Sequence, residues 1–123
     1  MESIKKKTVV LGASDNPARY SYLAVDSLER HNHPVTAIGR HAGKVGGTEI
    51  LTEQPAMDDV DTVTLYLNPQ NQQQYYDYIL ALRPKRIIFN PGAENEELAE
   101  MAESAGIQPV EACTLVLLST GQY

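Results

Sequence analysis

Apolar runs and helix-spaced apolar positions alternate along this chain from one end to the other. Thr8–Leu11 is a short β-branched run broken by Gly12, the shape of a buried strand. From Pro17 to His31, the residues Tyr20, Leu23, Ala24, Ser27, Leu28 and His31 recur at the spacing of one helical face, which predicts a helix. Pro34 separates it from a second strand, Val35–Ile38. Residues 40–48, bordered by Gly39 and holding Gly43, Gly46 and Gly47, carry loop signals, and Glu49–Leu51 reads as a short strand.

Asp61–Leu67 is β-rich and reads as a central strand. Pro69 opens a second helix, Gln70–Leu82, with Tyr75, Tyr78, Ile79 and Leu82 on one face. Lys85–Phe89 is the next strand, closed by Asn90-Pro91-Gly92. Glu94–Ala105 is a third helix, acidic in its first turn as the helix dipole favours, with Gly106 where a terminating glycine belongs. Ile107–Val110 is the last strand and Ala112–Leu118 a closing helical turn. Such alternation over short connections predicts an α/β fold, a Rossmann-like, doubly wound parallel sheet of about five strands with helices on both faces. No repeat, low-complexity tract or linker interrupts it, so residues 1–123 read as a single domain.

Composition narrows what such a domain meets. A length of 123 residues suffices for a core without disulfides or a structural metal. An apolar share of 42% and a charged share of 21% exclude a disordered chain. The net charge of −6 is the reverse of a duplex binder's, whose Lys and Arg neutralise phosphates, so no nucleic acid partner is expected. A small anionic ligand stays open, because backbone amides and a few placed cations suffice for it. The single cysteine, Cys113, forbids an internal disulfide and suits a reducing compartment. After the basic Met1–Lys7 only Val9-Val10-Leu11 follows before glycine, too short for a signal-peptide core or a membrane span. A cytoplasmic protein with no membrane partner is expected.

The chemistry concentrates where the first strand meets the first helix. Against the dinucleotide fingerprint G-x-G-x-x-G, the turn Gly12-Ala13-Ser14-Asp15-Asn16-Pro17 reads Gly, Ser, Pro at the key positions. Gly12 permits the tight turn, Ser14 offers a hydroxyl and an amide, and Pro17 suits a first helical position. Either Asn16 or Asp15 would cap the helix. Its free amides then face a diphosphate, with Arg19 one turn in. Asp15 would repel phosphate unless it points outward as a cap. A plain strand–turn–helix corner is the competing reading.

At the end of the second strand an NAD site usually carries Asp or Glu for the ribose hydroxyls. Here the residues are Gly39, Arg40, His41 and, three beyond, Lys44, with no carboxylate. Cations there suit a ribose bearing its own phosphate, as in NADP or coenzyme A; a solvated basic loop is the alternative. Elsewhere the chemistry is thin. His31 and His33 flank a helix end, where histidine usually caps carbonyls or meets water. No H-x-x-x-H, C-x-x-C or H-E-x-x-H pattern supports a metal, and Glu94, Glu96, Glu97, Glu100 and Glu103 read as a wet helix face. Cys113 reads as buried core, or else as a thiol able to form a mixed disulfide with a thiol ligand. Tyr75 and Tyr78 read as core, and one of Tyr20 and Tyr22 lies within reach of the phosphate turn. No catalytic residue emerges.

The stretch Val9–Tyr22, with Gly12-Ala13-Ser14-Asp15-Asn16-Pro17-Ala18-Arg19 at its centre, resembles the opening of the small standalone CoA-binding proteins, which are similar to the CoA-binding domain of the succinyl-CoA synthetase α subunit. The resemblance continues through Gly39–Gly47, Tyr66-Leu67-Asn68-Pro69, Asn90-Pro91-Gly92-Ala93 and Glu111-Ala112-Cys113. It implies a parallel sheet with a coenzyme A site at the C-terminal strand ends. It further implies that Gly12, Ala13, Ser14, Asn16 and Pro17 form the diphosphate turn beside Arg19. Arg40 and Lys44, next to Gly39, would face the 3′-phosphate. Leu67, Asn68 and Pro69 would border the adenine or the pantetheine arm, and Asn90, Pro91 and Gly92 would line the arm's exit. Many relatives carry Asn-Pro after the second strand, where this chain has Gly39-Arg40. The synthetase also uses a phosphorylated histidine domain and a partner subunit, for which this chain has no room, so ligase activity is not expected.

Three functions follow. The first is a coenzyme A or acyl-CoA binding module without chemistry of its own, a sensor or carrier. The second is an NADP-binding, oxidoreductase-like domain, which would need a substrate domain or a general acid. The third is an adaptor with a vestigial nucleotide site. A protein partner or homo-oligomer is left open by all three.

Overall fold

The computed structural model describes residues 5–123, so the reading of Met1–Ile4 lies outside it. Seven strands form one sheet: β1 (Thr8–Leu11), β2 (Val35–Ile38), β3 (Gly43–Val45), β4 (Thr48–Leu51), β5 (Thr62–Leu65), β6 (Arg86–Phe89) and β7 (Gln108–Glu111). Their order is β3-β4-β2-β1-β5-β6-β7. All neighbours pair in parallel except β3 and β4. The helices are α1 (Tyr20–Arg30), α2 (Pro69–Gln72), α3 (Tyr76–Leu82), α4 (Glu96–Ser104) and α5 (Thr114–Ser119), with a 3-10 turn at Gln73–Tyr75. The expected doubly wound α/β architecture is present. Among the described residues, no helix is long and apolar enough to cross a membrane.

The central strands β1 and β5 are buried along their whole length, as strands covered by helices on both faces must be. Alternate residues feed two cores. Val9 and Leu11 join Val63, Leu65, Ile87 and Phe89 under Ile79 and Leu82 of α3 and Leu98 and Ala102 of α4. Val10, Ala37 and Ile88 point the other way, to Val25 and Leu28 of α1 and Leu118 of α5.

Three sequence expectations change. The sheet has seven strands rather than about five: the short Glu49–Leu51 strand joins it as β4, and part of the expected 40–48 loop is β3, hydrogen-bonded antiparallel to β4. The hairpin is clipped to α1: the Glu29 carboxylate accepts from the Gly47 amide at 3.1 Å and from the Thr48 hydroxyl. The first helix begins at Tyr20, not Pro17, because Asn16 Oδ1 accepts from the Ala18 amide and Arg19 remains extended. Neither Asn16 nor Asp15 caps α1; the capping position is Arg19, without a side-chain bond. The expected Gln70–Leu82 helix is split by the 3-10 turn, and its cap is Asn68, whose Oδ1 accepts from Asn71 N–H at 2.9 Å.

Chain order reverses across β1 and β5: β2 and β4 follow on one side of β1, β6 and β7 beyond β5 on the other. In open α/β sheets the crevice forms at such a switch point, beyond the carboxyl ends of the strands. The turns leaving β1 and β5, Gly12–Asp15 and Tyr66–Asn68, meet there.

Candidate functional site

Gly12 and Gly39 close the floor of this crevice. Gly12 has φ +91°, and a Cβ on it would come within 2.7 Å of the Tyr66 carbonyl oxygen. A Cβ on Gly39 would overlap the Ala13 carbonyl oxygen. Both glycines therefore let the first turn lie directly against its neighbours. Gly12 and Ala13 donate their amides to the same acceptor, Ile38 O, at 3.0 and 2.9 Å, which locks the turn onto β2.

Beyond that lock the amides run out of partners. Asn16 N–H bonds to Ser14 Oγ and Ala18 N–H to Asn16 Oδ1, while Arg19 N–H bonds to Asn16 O. Among the described residues, the main-chain N–H groups of Ser14, Asp15, Tyr20 and Ser21 make no hydrogen bond. All four residues line one cleft of about 550 Å³. The positive end of α1 thus opens onto it.

Arg40 and His41, from the end of β2, and Arg19 add basic side chains to the lining. Among the described residues the ion pairs are Arg30–Asp26 and Lys85–Asp61, so Arg19 and Arg40 carry unneutralised charge. Asp15 lines the same cleft, and its carboxylate lies against Gly43, where a Cβ would come within 2.6 Å of Oδ2. The opposite wall is Tyr66, Leu67, Asn68 and Asn71 after β5, with Pro91, Gly92 and Ala93 after β6. Burial pushes the Tyr66 phenol well above its ordinary value, against a weaker opposing effect of the neighbouring Thr114 side chain. Its hydroxyl is buried without a partner in hydrogen-bond geometry, and it stays protonated at neutral pH.

Of the residues singled out in the sequence, the structure brings Gly12, Ala13, Ser14, Arg19, Arg40, Leu67, Asn68, Pro91 and Gly92 together around this cleft. Asn16 and Pro17 are exposed on the turn outside the lining, Gly39 is buried behind it, and Lys44 is exposed on β3 outside the lining. Pro69 starts α2 outside the lining. The Asn90 side chain is buried beneath the cleft, donating to Thr64 Oγ1 (2.6 Å) and Leu65 O (2.8 Å) and accepting from Thr114 N–H (2.9 Å). It staples β5, β6 and α5.

Sequence reasoning missed Ser21, Asn71 and Ala93, and assigned no role to His41 or Tyr66. Ser21 had a legible signal: with Ala24, Val25 and Leu28 it heads the buried stripe of α1, a polar residue where an apolar one would serve packing. Of the two tyrosines, Tyr20 stands on the cleft and Tyr22 packs against the core. His31 Nδ1 lies 2.7 Å from Ser27 O at the end of α1. Cys113 precedes α5, half-buried and outside the lining. Among the described residues, no three His, Cys, Asp or Glu side chains gather to hold a metal.

A family model described as a CoA binding domain matches residues 6–119. The crystal structure of an uncharacterized protein is 53% identical, with a TM-score of 0.95 over 98% of this chain and 100% of that one. A protein of Thermus thermophilus is 21% identical, with a TM-score of 0.84 over 97% and 91%. A dinucleotide forming acetyl-coenzyme A synthetase of Ca. Korarchaeum cryptofilum, in complex with phosphate and ADP, is 19% identical, with a TM-score of 0.68 over 87% of this chain and 26% of that one. No curated protein sequence matches.

Proposed function

Because the chain belongs to the CoA binding domain family, we propose that the cleft binds coenzyme A or an acyl-CoA and that the protein is a binding module, a sensor or carrier in the cytoplasm, without chemistry of its own. The observation that carries this reading is the set of four unpartnered amides, Ser14, Asp15, Tyr20 and Ser21, on one cleft wall. Free N–H groups at a helix start bind anions by direct hydrogen bonds and by the dipole, so a diphosphate sits there without a lysine clamp. The Ser14 and Ser21 hydroxyls and Arg19 supplement them. Arg40 takes the ribose 3′-phosphate, where charge-assisted bonds are strongest. Lys44, on the hairpin edge, adds only to the local field. The pantetheine arm runs between Leu67–Asn68 and Pro91–Gly92.

Thermal-shift titration with coenzyme A, dephospho-CoA, NADP and NAD tests the reading, since a ligand that binds only the native state raises apparent stability by mass action. Coenzyme A is expected to lead and dephospho-CoA to lag, and Arg40→Ala to erase the gap between them. A larger shift with NADP favours an oxidoreductase-like domain, and no shift with any ligand favours an adaptor; either result ends the coenzyme A reading.

A further inference from the structure

We propose that Gln72 is a positioning residue of the cleft, its buried side-chain amide setting the separation of the two loops between which the ligand's arm lies. Its effect on affinity rests on the coenzyme A reading above; its effect on the loops does not.

Gln72 ends α2 and is fully buried. Its Nε2 donates to Leu67 O at 2.8 Å and to Ala93 O at 2.7 Å. Leu67 and Ala93 line the cleft from different loops, one after β5 and one after β6. Past Leu65 and Phe89 the strand ladder has ended, and among the described residues the hydrogen bonds joining segment 66–68 to segment 91–95 run through Gln72.

The amide cannot turn over. Both of its protons face carbonyl oxygens, which only accept, and its Oε1 accepts from Asn95 Nδ2 at 2.9 Å. Asn95 is fixed in turn, because its Oδ1 caps α4 at Leu98 N–H and its second Nδ2 proton goes to the Tyr76 hydroxyl at 2.8 Å. The Tyr76 hydroxyl in turn donates a hydrogen bond to the Glu97 carboxylate at 3.0 Å, at the surface. Burying an amide costs free energy unless it is satisfied, and a satisfied buried network holds one geometry. Packing alone asks only for an apolar residue here, on the same helix face as Tyr75 and Ile79. The two donors serve the loops.

The test uses the protein, Gln72→Glu and Gln72→Met. In hydrogen exchange without ligand, both variants are expected to speed exchange in segments 66–71 and 91–95 and leave β1 and α1 unchanged. Exchange that speeds throughout, or nowhere, overturns the proposal. In titrations, both variants are expected to bind coenzyme A about tenfold more weakly, the scale of losing one buried hydrogen bond. Adenosine 3′,5′-bisphosphate, which lacks the arm, keeps its affinity. Equal loss for the two ligands overturns the positioning role. Lowering the pH is expected to raise coenzyme A affinity part of the way back in Gln72→Glu alone, because a protonated carboxyl again donates to one of the two carbonyls; parallel profiles in the two variants count against it. If the unaltered protein binds no coenzyme A, the ligand reading fails and the exchange data alone decide on Gln72.

Discussion

Gly12 carries two constraints at once, a backbone at φ +91° and a main chain, that of Tyr66, within contact of where a Cβ would sit. Relaxing either would leave the other. Gly12→Ala is therefore expected to lower stability by about 1–3 kcal/mol, read by urea denaturation, and to abolish ligand shifts even where the fold survives. Substitution at the exposed Pro17 changes stability by a few tenths at most. The comparison separates a turn residue that shapes the crevice from one that merely follows it. Single-residue chemistry of this kind was legible wherever it sat next to its partner in the chain: Gly12, Ser14 and Arg19 announce themselves by spacing. Asn90 was legible only as a turn residue. That its side chain is consumed by Thr64, Leu65 and Thr114 follows from contacts over 24 to 26 positions.

At the scale of elements, β3 extends the sheet beyond the expected strands by pairing with β4, and the Glu29 carboxylate holds the hairpin against α1 through Gly47 and Thr48. Removing that acceptor leaves an amide and a hydroxyl without their charged partner. Glu29→Ala is expected to cost about 1 kcal/mol, with faster hydrogen exchange confined to residues 43–51. Uniformly faster exchange would mean that α1, rather than the hairpin, had been loosened. The late start of α1 belongs to the same scale. The Asn16–Ala18 bond consumes the residues expected to begin the helix and leaves the Tyr20 and Ser21 amides at its head. A propensity argument sees only that Pro17 fits a first turn; the competing side-chain bond decides otherwise.

Across the whole molecule, the end of the sheet opposite the cleft is tied by an aromatic and basic cluster. His33 Nδ1 accepts from Lys6 N–H at 2.9 Å, and its ring stands 4.9 Å from that of Tyr123. Arg86 lies 4.5 Å from the Tyr123 ring and the Tyr123 hydroxyl meets Thr8 Oγ1. Burial, with the charges of Lys5, His31, Lys6 and Arg86 adding to it, holds the His33 imidazole below its ordinary value of 6.5. The unfolded chain then binds a proton that the native one refuses, so stability rises with pH through this range. The contribution is present above about pH 6.5 and is lost as the pH falls from there toward the lowered native value. Denaturation midpoints measured from about pH 8 to 5 are expected to fall on the acid side, and His33→Asn to flatten that fall. An unchanged slope in the variant would assign the acid sensitivity to other groups.

Residues a few places apart already specify the alternation of strands and helices, the buried character of β1 and β5, the glycine turn after β1 and the cationic end of β2. Only the folded molecule settles which amides are left without partners, which side chains face the cleft, and that Gln72, read in the sequence only as part of a helix, joins its two far loops. The physical reason is range. Local periodicity and turn chemistry act within one helical turn or one strand pair, whereas a hydrogen bond between loops exists only once the sheet order has brought positions 67, 72 and 93 to the same end of the sheet.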